Sequence, residues 1–436
     1  MRRSAVPLCS LMLALSCLLT SMPLVQGGQW SMEGHDEGRM ALSEYAFQEQ
    51  GQGVMWRAGF RDPNDIFGNY GSQLLVGDDR SIFAIVGEKV IKLDQAGSVQ
   101  WSAYVHVPQG FSLMENGDVL VTGGLSLTIL DQRTGAQTWA YSSESYLPMF
   151  DWSICLEDGS ILFTETYNWN EGLSYEYRLT KLSPEKEREW AINLGEDALS
   201  PAAVGPDGTI YIGNYHLYAL SPGGEILWNG TGAGAFNNHP IPMIHPEIGV
   251  IFPTRYSLSA LTYDGDTIWD FFLNGSIEAC AIDGNGNILV SLIPENQGLE
   301  GQDAPCLLCL SPSGELIWRY NLPDQPSTGI TCSANDLIFV PTTTTLVVLD
   351  LNGTMIWQHK FLGLLFATPV LSENGTLYLL VSQDASNPFL KPYTNLYAIQ
   401  GEVRPDFPFV LVLSIFLIFV AFIAIMYWIE RRGNKK

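Results

Sequence analysis

Leu220-Ser-Pro-Gly-Gly-Glu-Ile-Leu-Trp228 is the phrase that decides the fold. It reads as the end of one β-strand, a glycine turn, and a second strand that closes on tryptophan. The same phrase recurs before Trp101, Trp139, Trp190, Trp269, Trp318 and Trp357, each with an upstream leucine: Leu93, Leu130, Leu182, Leu261, Leu310 and Leu349. Counting Leu220, six of the seven leucine-to-tryptophan gaps are eight residues and one is nine. An eighth tryptophan, Trp56, has no such leucine before it. A period of roughly 40–50 residues means supersecondary units that bury their apolar faces against one another.

Working outward from Trp228 gives one whole unit. Pro201–Val204 is a short apolar strand, and Gly205-Pro-Asp-Gly208 a turn. Thr209–Ile212 is a second strand, rich in β-branched and aromatic residues, and Leu217–Leu220 a third. Glu225–Trp228 is the fourth. Four short antiparallel strands joined by tight turns make a sheet of the kind that stacks radially into a β-propeller. The turn before the second strand recurs at Asn116-Gly117, Asp158-Gly159, Asn285-Gly286 and Asn374-Gly375, and in altered form at Asp79-Arg80, Ile248-Gly249 and Asn335-Asp336. Only the unit around Glu185-Lys-Glu187 lacks the glycine before its tryptophan.

The two ends of the repeat are complementary. Trp56 has no third strand before it, and Leu396–Ile399 is a third strand with no tryptophan after it. The N-terminal strand is therefore expected to complete the last sheet. The expected fold is all-β: an eight-bladed propeller of four-stranded antiparallel blades over 28–400, its ring closed by the strand bearing Trp56. Closure removes the free sheet edges that invite aggregation.

These residues resemble the pyrroloquinoline-quinone-like propeller family, whose blade signature is Leu-x-Ala-Leu-(Asp/Ser)-x-x-Gly-x-x-x-Trp. The opening Trp30-Ser-Met-Glu-Gly-His-Asp-Glu-Gly-Arg39 also looks like the start of many members. The resemblance implies a tryptophan docked between adjacent blades. It implies two unlike functions, because relatives include quinoprotein dehydrogenases and a non-catalytic scaffold for outer-membrane protein assembly. The dehydrogenases use a calcium ion held by Glu and Asn, a catalytic Asp and usually adjacent cysteines. This chain has no Cys-Cys pair, and its longest tryptophan spacing, 51 residues, leaves little room for insertions. The expectation is therefore no catalytic residue, no metal ion and no cofactor, with the quinone and calcium pair as the alternative.

The flanking segments speak to location. Residues 1–27 open with Arg2 and Arg3, continue as an apolar run, and end in small residues, as a secretory signal does. Residues 408–429 are an uncharged apolar run of 22 residues. As a helix they would span about 33 Å, enough for a bilayer core. Arg431, Arg432, Lys435 and Lys436 follow in the tail 430–436, and basic residues stay cytoplasmic. The expected topology is a single-pass anchor at the cell membrane, a juxtamembrane linker over 401–407, and a propeller outside the cytoplasm.

Six of the 22 basic residues and one of the 46 acidic residues lie in the signal, span and tail, leaving 16 against 45, a net of −29. That balance argues against nucleic acid, since phosphate contacts need clustered Lys and Arg. Five cysteines remain beyond the signal, an odd and scattered set that makes no disulfide framework. Cys306-Leu-Leu-Cys309 falls on a third strand, so it reads as small core residues rather than a metal pair. Asp283-Gly-Asn-Gly-Asn287 lacks the glycine and glutamate of a calcium loop and reads as a hairpin turn. Asn229, Asn274, Asn352 and Asn374 head N-x-Ser/Thr sequons, and glycans there would fit an exposed surface.

First strands should line the axial channel, where propellers bind ligands. Asp151, Trp152, Asn238, His239 and Glu278 lie on or beside them and are the candidate binding residues. A carboxylate pair such as Asp151 and Glu278 could hold a cation or act as acid and base. His35 and Asp36 are expected to belong to the closure segment. The function expected is a non-catalytic platform that binds another envelope protein or a surface ligand. The alternatives are a quinone-dependent membrane-bound dehydrogenase and a carbohydrate-binding or sensor module.

Overall fold

The structure is a computed structural model that describes residues 32, 34–50, 53–60, 73–145, 149–167, 176–196, 199–213, 216–231, 241–254, 257–295, 304–382 and 393–402. Eight separate antiparallel sheets follow one another along the chain. Blades 1 to 7 cover residues 74–104, 108–140, 150–193, 203–231, 243–272, 275–321 and 331–360. Each is a four-stranded meander in sequence order. Blade 8 combines residues 364–400 with Gly53–Phe60, the strand bearing Trp56, as its outer edge. Trp56 pairs with Ala398 and Phe60 with Thr394, so the two ends of the repeat close the ring as their sequences require. The first strand of this blade is split into Leu364–Leu365 and Val370–Leu371.

Burial follows from the stacking. A second strand such as Ile82–Val86 is buried at every position, because each of its faces meets a neighbouring blade. A fourth strand such as Thr267–Phe272 sits at the rim and is largely exposed. First strands are the shortest in blades 1, 4, 5 and 7: in blade 4 only Ala203–Val204 pair, not the whole of 201–204. Pro201 has no N–H to give to a ladder, and the chain there is converging on the axis.

The glycine turns hold the blades together. Trp228 lies across Gly265 of the next blade, and its indole Nε1 donates to Tyr263 O at 2.8 Å. Gly265 has φ +91, and a Cβ there would stand 2.8 Å from the indole. So the residue under the tryptophan must both turn the chain and carry no side chain. The same dock joins Trp56 to Gly97, Trp101 to Gly135, Trp190 to Gly224, Trp269 to Gly314 and Trp318 to Gly353. In each the indole donates to a carbonyl just before the glycine, at 2.8–3.0 Å.

Two junctions depart from this rule. Trp139 should meet the turn 183–187, where Lys186 takes the glycine's place at φ +70. Trp357 should meet blade 8, whose outer two strands come from opposite ends of the chain and share no hairpin. Phe47 packs there instead, its ring 6.4 Å from Trp357 and 5.1 Å from Phe339.

Phe47 belongs to a strap formed by residues 34–48, which runs along the inner ends of the blades before entering the edge strand. Its carbonyls at Glu37, Gly38, Met40, Ala41 and Tyr45 accept from Val204, Ile244, Ile282, Cys332 and Ala334, at 2.8–3.0 Å. Gln48 then donates to Gly375 O. The strap thus meets blades 4 to 8 in order, beside their first turns, and Glu37 Oε1 accepts from Glu157 N in blade 3.

The remaining sequence expectations divide by region. Cys306 and Cys309 are buried on one strand, burial pushes the Cys309 thiol up to about 12, and all five described cysteines are free thiols. Asp283 accepts from the backbone N–H groups of Asn285 and Asn287, as a turn residue does. Asn229, Asn274, Asn352 and Asn374 are exposed. Among the described residues no helix is long and apolar enough to cross a membrane. The signal 1–27 and the apolar run 408–429 lie outside the described residues.

Candidate functional site in the axial channel

A cavity of about 190 Å³ lies among the first strands of blades 1 to 4. Four blades and the strap build it. Gln73 comes from the start of blade 1, Gln109, Gly110 and Phe111 from blade 2, and Trp152, Ser153 and Ile154 from blade 3. Leu199 and Pro201 precede blade 4, and Met32 and Arg39 come from the N-terminal segment. The volume exceeds the roughly 150 Å³ that suffices for benzene.

Its polar groups are mainly donors. Trp152 is 7% exposed, and its Nε1–H has no hydrogen-bond partner. Gln73 must turn its oxygen toward Phe111 N, which can only donate, and that bond is 3.0 Å. The amide nitrogen is then its remaining polar group. Arg39 is 5% exposed with φ +56, and its Nε donates to Ala202 O at 2.6 Å. The Ser153 hydroxyl bonds that of Thr122 in the same buried seam.

The sequence candidates scatter. Trp152 is in the cavity wall. Asp151 is on the same strand, Phe150–Cys155, and its side chain lies outside the described residues. Asn238 and His239 also lie outside them. Glu278 sits half-buried in blade 6, at a bulge between Ile277 and Ala279, and is not in the cavity wall. Sequence reasoning missed Arg39, Gln73 and Gln109. Arg39 ends the opening segment, Trp30 to Arg39, that resembles the start of many family members, and nothing in that resemblance marks it as a binding residue.

Two titratable sites stand apart from the cavity lining. Glu165 in blade 3 is fully buried, and burial raises its pKa. One of its oxygens accepts from Ser143, and the other has no partner. It is sealed from any ligand, beside the Glu144–Arg188 pair at 3.0 Å. In the strap, burial pulls the His35 imidazole down, but Asp36 and Glu44 outweigh it and hold the pKa at about 9. Burial pushes Glu37 up to about 7, helped by Glu157, Asp158 and Asp36.

A bound quinone with calcium would need oxygen ligands for the ion and a carboxylate base beside the substrate. Among the described residues the cavity offers a guanidinium, amides, a hydroxyl and an indole. Nor do those residues group three or more His, Cys, Asp or Glu side chains for a metal. The donor set does not fit the quinone–calcium pair.

The family described as outer membrane protein assembly factor BamB matches residues 307–387. These repeats are BamB-like. No curated protein matches the chain. Among solved structures, quinohemoprotein alcohol dehydrogenase from Comamonas testosteroni is similar with TM-score 0.68 and 12% identity, over 89% of this chain and 82% of that one. A second quinohemoprotein alcohol dehydrogenase, ADHIIG from Pseudomonas putida HK5, has TM-score 0.62 and 11% identity, over 87% and 81%. BamB from Moraxella catarrhalis has TM-score 0.53 and 14% identity, over 80% and 98%. Identities this low establish a shared propeller fold, and the fold hosts unlike functions.

Proposed function

We propose that this propeller is a non-catalytic binding platform held at the outer face of a membrane, where it engages another envelope protein or a surface ligand. The observation that carries the reading is the chemistry of the axial cavity. Arginine stays protonated and amides do not titrate, so Arg39, Gln73, Gln109 and Trp152 can hold a ligand but cannot exchange protons with it near neutral pH. The buried carboxyl of Glu165 is not part of that wall. The strap supports the same view, since it ties the first strands of successive blades into a fixed frame. Membrane attachment rests on the apolar run 408–429 and the basic tail, and the outward orientation on the leader at 1–27. The acidic outer surface fits a basic or neutral partner better than a polyanion.

The test is crosslinking in native membranes followed by identification of neighbours, run beside dye-linked alcohol oxidation with added pyrroloquinoline quinone and calcium. A reproducible envelope-protein neighbour and no oxidation support the platform. Oxidation that saturates with the quinone refutes it.

A further inference from the structure

We infer that the rim of blades 4 to 8 lies against the membrane surface, with one bulged apolar side chain of each fourth strand set into the lipid interface. The inference rests on the reading that holds the propeller at a membrane, and it names the face that touches it. Every blade carries the same irregularity, a bulge in the fourth strand just before the tryptophan. In blade 4, Leu220 pairs with Ile226 and Ala219 with Trp228, so Leu227 has no partner across the ladder. The matching residues are Ile268, Ile317, Ile356 and Met55 in blades 5 to 8. In blades 1 to 3 they are Gln100, Thr138 and Glu189. All eight are exposed, the five apolar ones by 48–55%.

The bulge itself makes no demand for an apolar side chain, since three blades place a polar one there. Single apolar residues scattered on a surface are ordinary. Here they take one slot in five consecutive blades and in none of the other three. Ile226, Leu316, Met355 and Val54 extend four of them with a second exposed apolar side chain. Blade 1 keeps such a neighbour in Val99, whereas blades 2 and 3 have Gln137 and Arg188.

The occupant follows from where the chain leaves the ring. In blade 8 the third strand ends at Gln400, opposite Gly53, beside the bulge at Met55. In the other blades that end carries the turn into the fourth strand; in blade 8 the chain departs there through Gly401 and Glu402. The bulges and the exit therefore share one end of the ring. Only residues 403–407 separate Glu402 from the apolar run 408–429, a reach of about 20 Å at full extension. A strand from another protein fits this rim poorly, because a bulge breaks the edge ladder that strand addition needs. A flat interface meets separated side chains on five blades at once. Exposed Glu225, Asp266 and Glu315 flank the bulges, so the lipid that suits them is zwitterionic rather than anionic.

The probe is phosphatidylcholine. The photoreactive residue p-benzoylphenylalanine takes the place of Ile317 in blade 6 or of Thr138 in blade 2, in the full-length chain reconstituted into phosphatidylcholine vesicles. Irradiation joins it to the C–H groups lying against it, and mass spectrometry counts the lipid adducts. We expect at least about fivefold more lipid adduct from the Ile317 position than from the Thr138 position. Adding Leu227→Glu, Ile268→Glu and Ile356→Glu to the Ile317 probe should bring its adduct down to the Thr138 level. The melting temperature should hold, because Glu189 already occupies this slot in blade 3. Equal adduct at the two positions, no lipid adduct at either, or adduct unmoved by the triple change overturns the inference. So does an adduct between two copies in place of lipid, which would assign the arc to self-association. Carbonate extraction of the same vesicles reads the anchor separately. A chain that resists extraction without lipid adduct keeps the anchor and loses this contact. Adduct on a chain that carbonate releases keeps the contact and removes the span.

Discussion

Six blade junctions and two others solve the same packing problem differently. At the six, a tryptophan lies on a glycine of the next blade and donates to a carbonyl beside it. At the junction after blade 2 the glycine slot holds Lys186, and at the junction after blade 7 a side chain from the far N-terminus, Phe47, fills in for a hairpin that does not exist. The repeat is thus a local rule that can be broken in two ways. One is a residue change that keeps the turn. The other is a topological break that needs a patch from elsewhere in the chain. The second is the more dangerous break, because one deletion removes both the patch and the edge strand.

The largest expected effect tests that point. Deleting residues 29–60 removes the strap, Phe47 and the strand that pairs with Thr394–Gln400. We expect the protein to aggregate or lose cooperative melting, because apolar surface and the outer edge of Thr394–Gln400 are uncovered. A monomeric truncation with an unchanged melting transition would show that the patch is dispensable.

Single docks come next. Trp228→Ala at a regular junction and Phe47→Ala at the patched one should each cost about 3 kcal/mol in chemical denaturation. Equal losses would show that the two solutions carry similar weight. A small loss at Phe47 alone would confine the argument to the six regular junctions.

The strap should be pH-sensitive where the regular docks are not. His35 has its folded pKa raised from 6.5 to about 9, and Glu37 has its own raised from 4.5 to about 7. Both raised values act in the same direction. The stability they contribute is complete below the unfolded pKa and is lost as pH rises through the folded one. For Glu37 the loss runs from pH 4.5 to about 7, and for His35 from 6.5 to about 9. Each group contributes on the order of 2 kcal/mol, so melting temperature should fall by a few degrees between pH 5 and 9. Glu37→Gln should flatten the lower part of that fall and His35→Gln the upper part.

The smallest effect is the sharpest comparison. Gly265→Ala places a methyl group against Trp228 at positive φ and should destabilise by about 1–3 kcal/mol. Lys186→Gly, at the equivalent position of the next unit but one before it, should stabilise by about 0.5–1 kcal/mol by relieving a strained φ. Urea midpoints of the two variants should move in opposite directions. Movement in the same direction would mean that the slot at Lys186 is not the glycine slot.

Blade count, strand order and ring closure were legible in the sequence because each depends on neighbours within one repeat. Leu220, Gly224 and Trp228 declare their roles by spacing alone. The partner of Trp56 was legible because Leu396–Ile399 lacked one. The cavity was much less so. Trp152 is a candidate by sequence because it lies on a first strand, but Gln73 and Gln109 have no signature. Which first-strand side chains meet depends on how strongly the strands converge, and spacing does not report that. Arg39 was hidden for another reason. Its position comes from a strap that follows the ring rather than from the repeat, so no periodicity could place it. Glu278 sits at a bulge, where one extra residue changes which side chain of a strand faces inward, and spacing does not report that either.

Ring closure by the earliest strand also sets a timetable for synthesis. Gly53–Phe60 leaves the ribosome long before its partner Thr394–Gln400 exists. At about 5–20 residues per second the wait is between about 15 s and about a minute. Through that interval blades can form one after another and the strap can bond to blades 3 to 7 as they appear, but the edge strand must stay unpaired. The final step is a single contact between distant parts of the chain, the kind that forms slowly. Until it forms, every nascent molecule exposes the same two open sheet edges. A second nascent copy offers the same missing strand, so the vulnerable period for exchange between copies is written into the order of the blades.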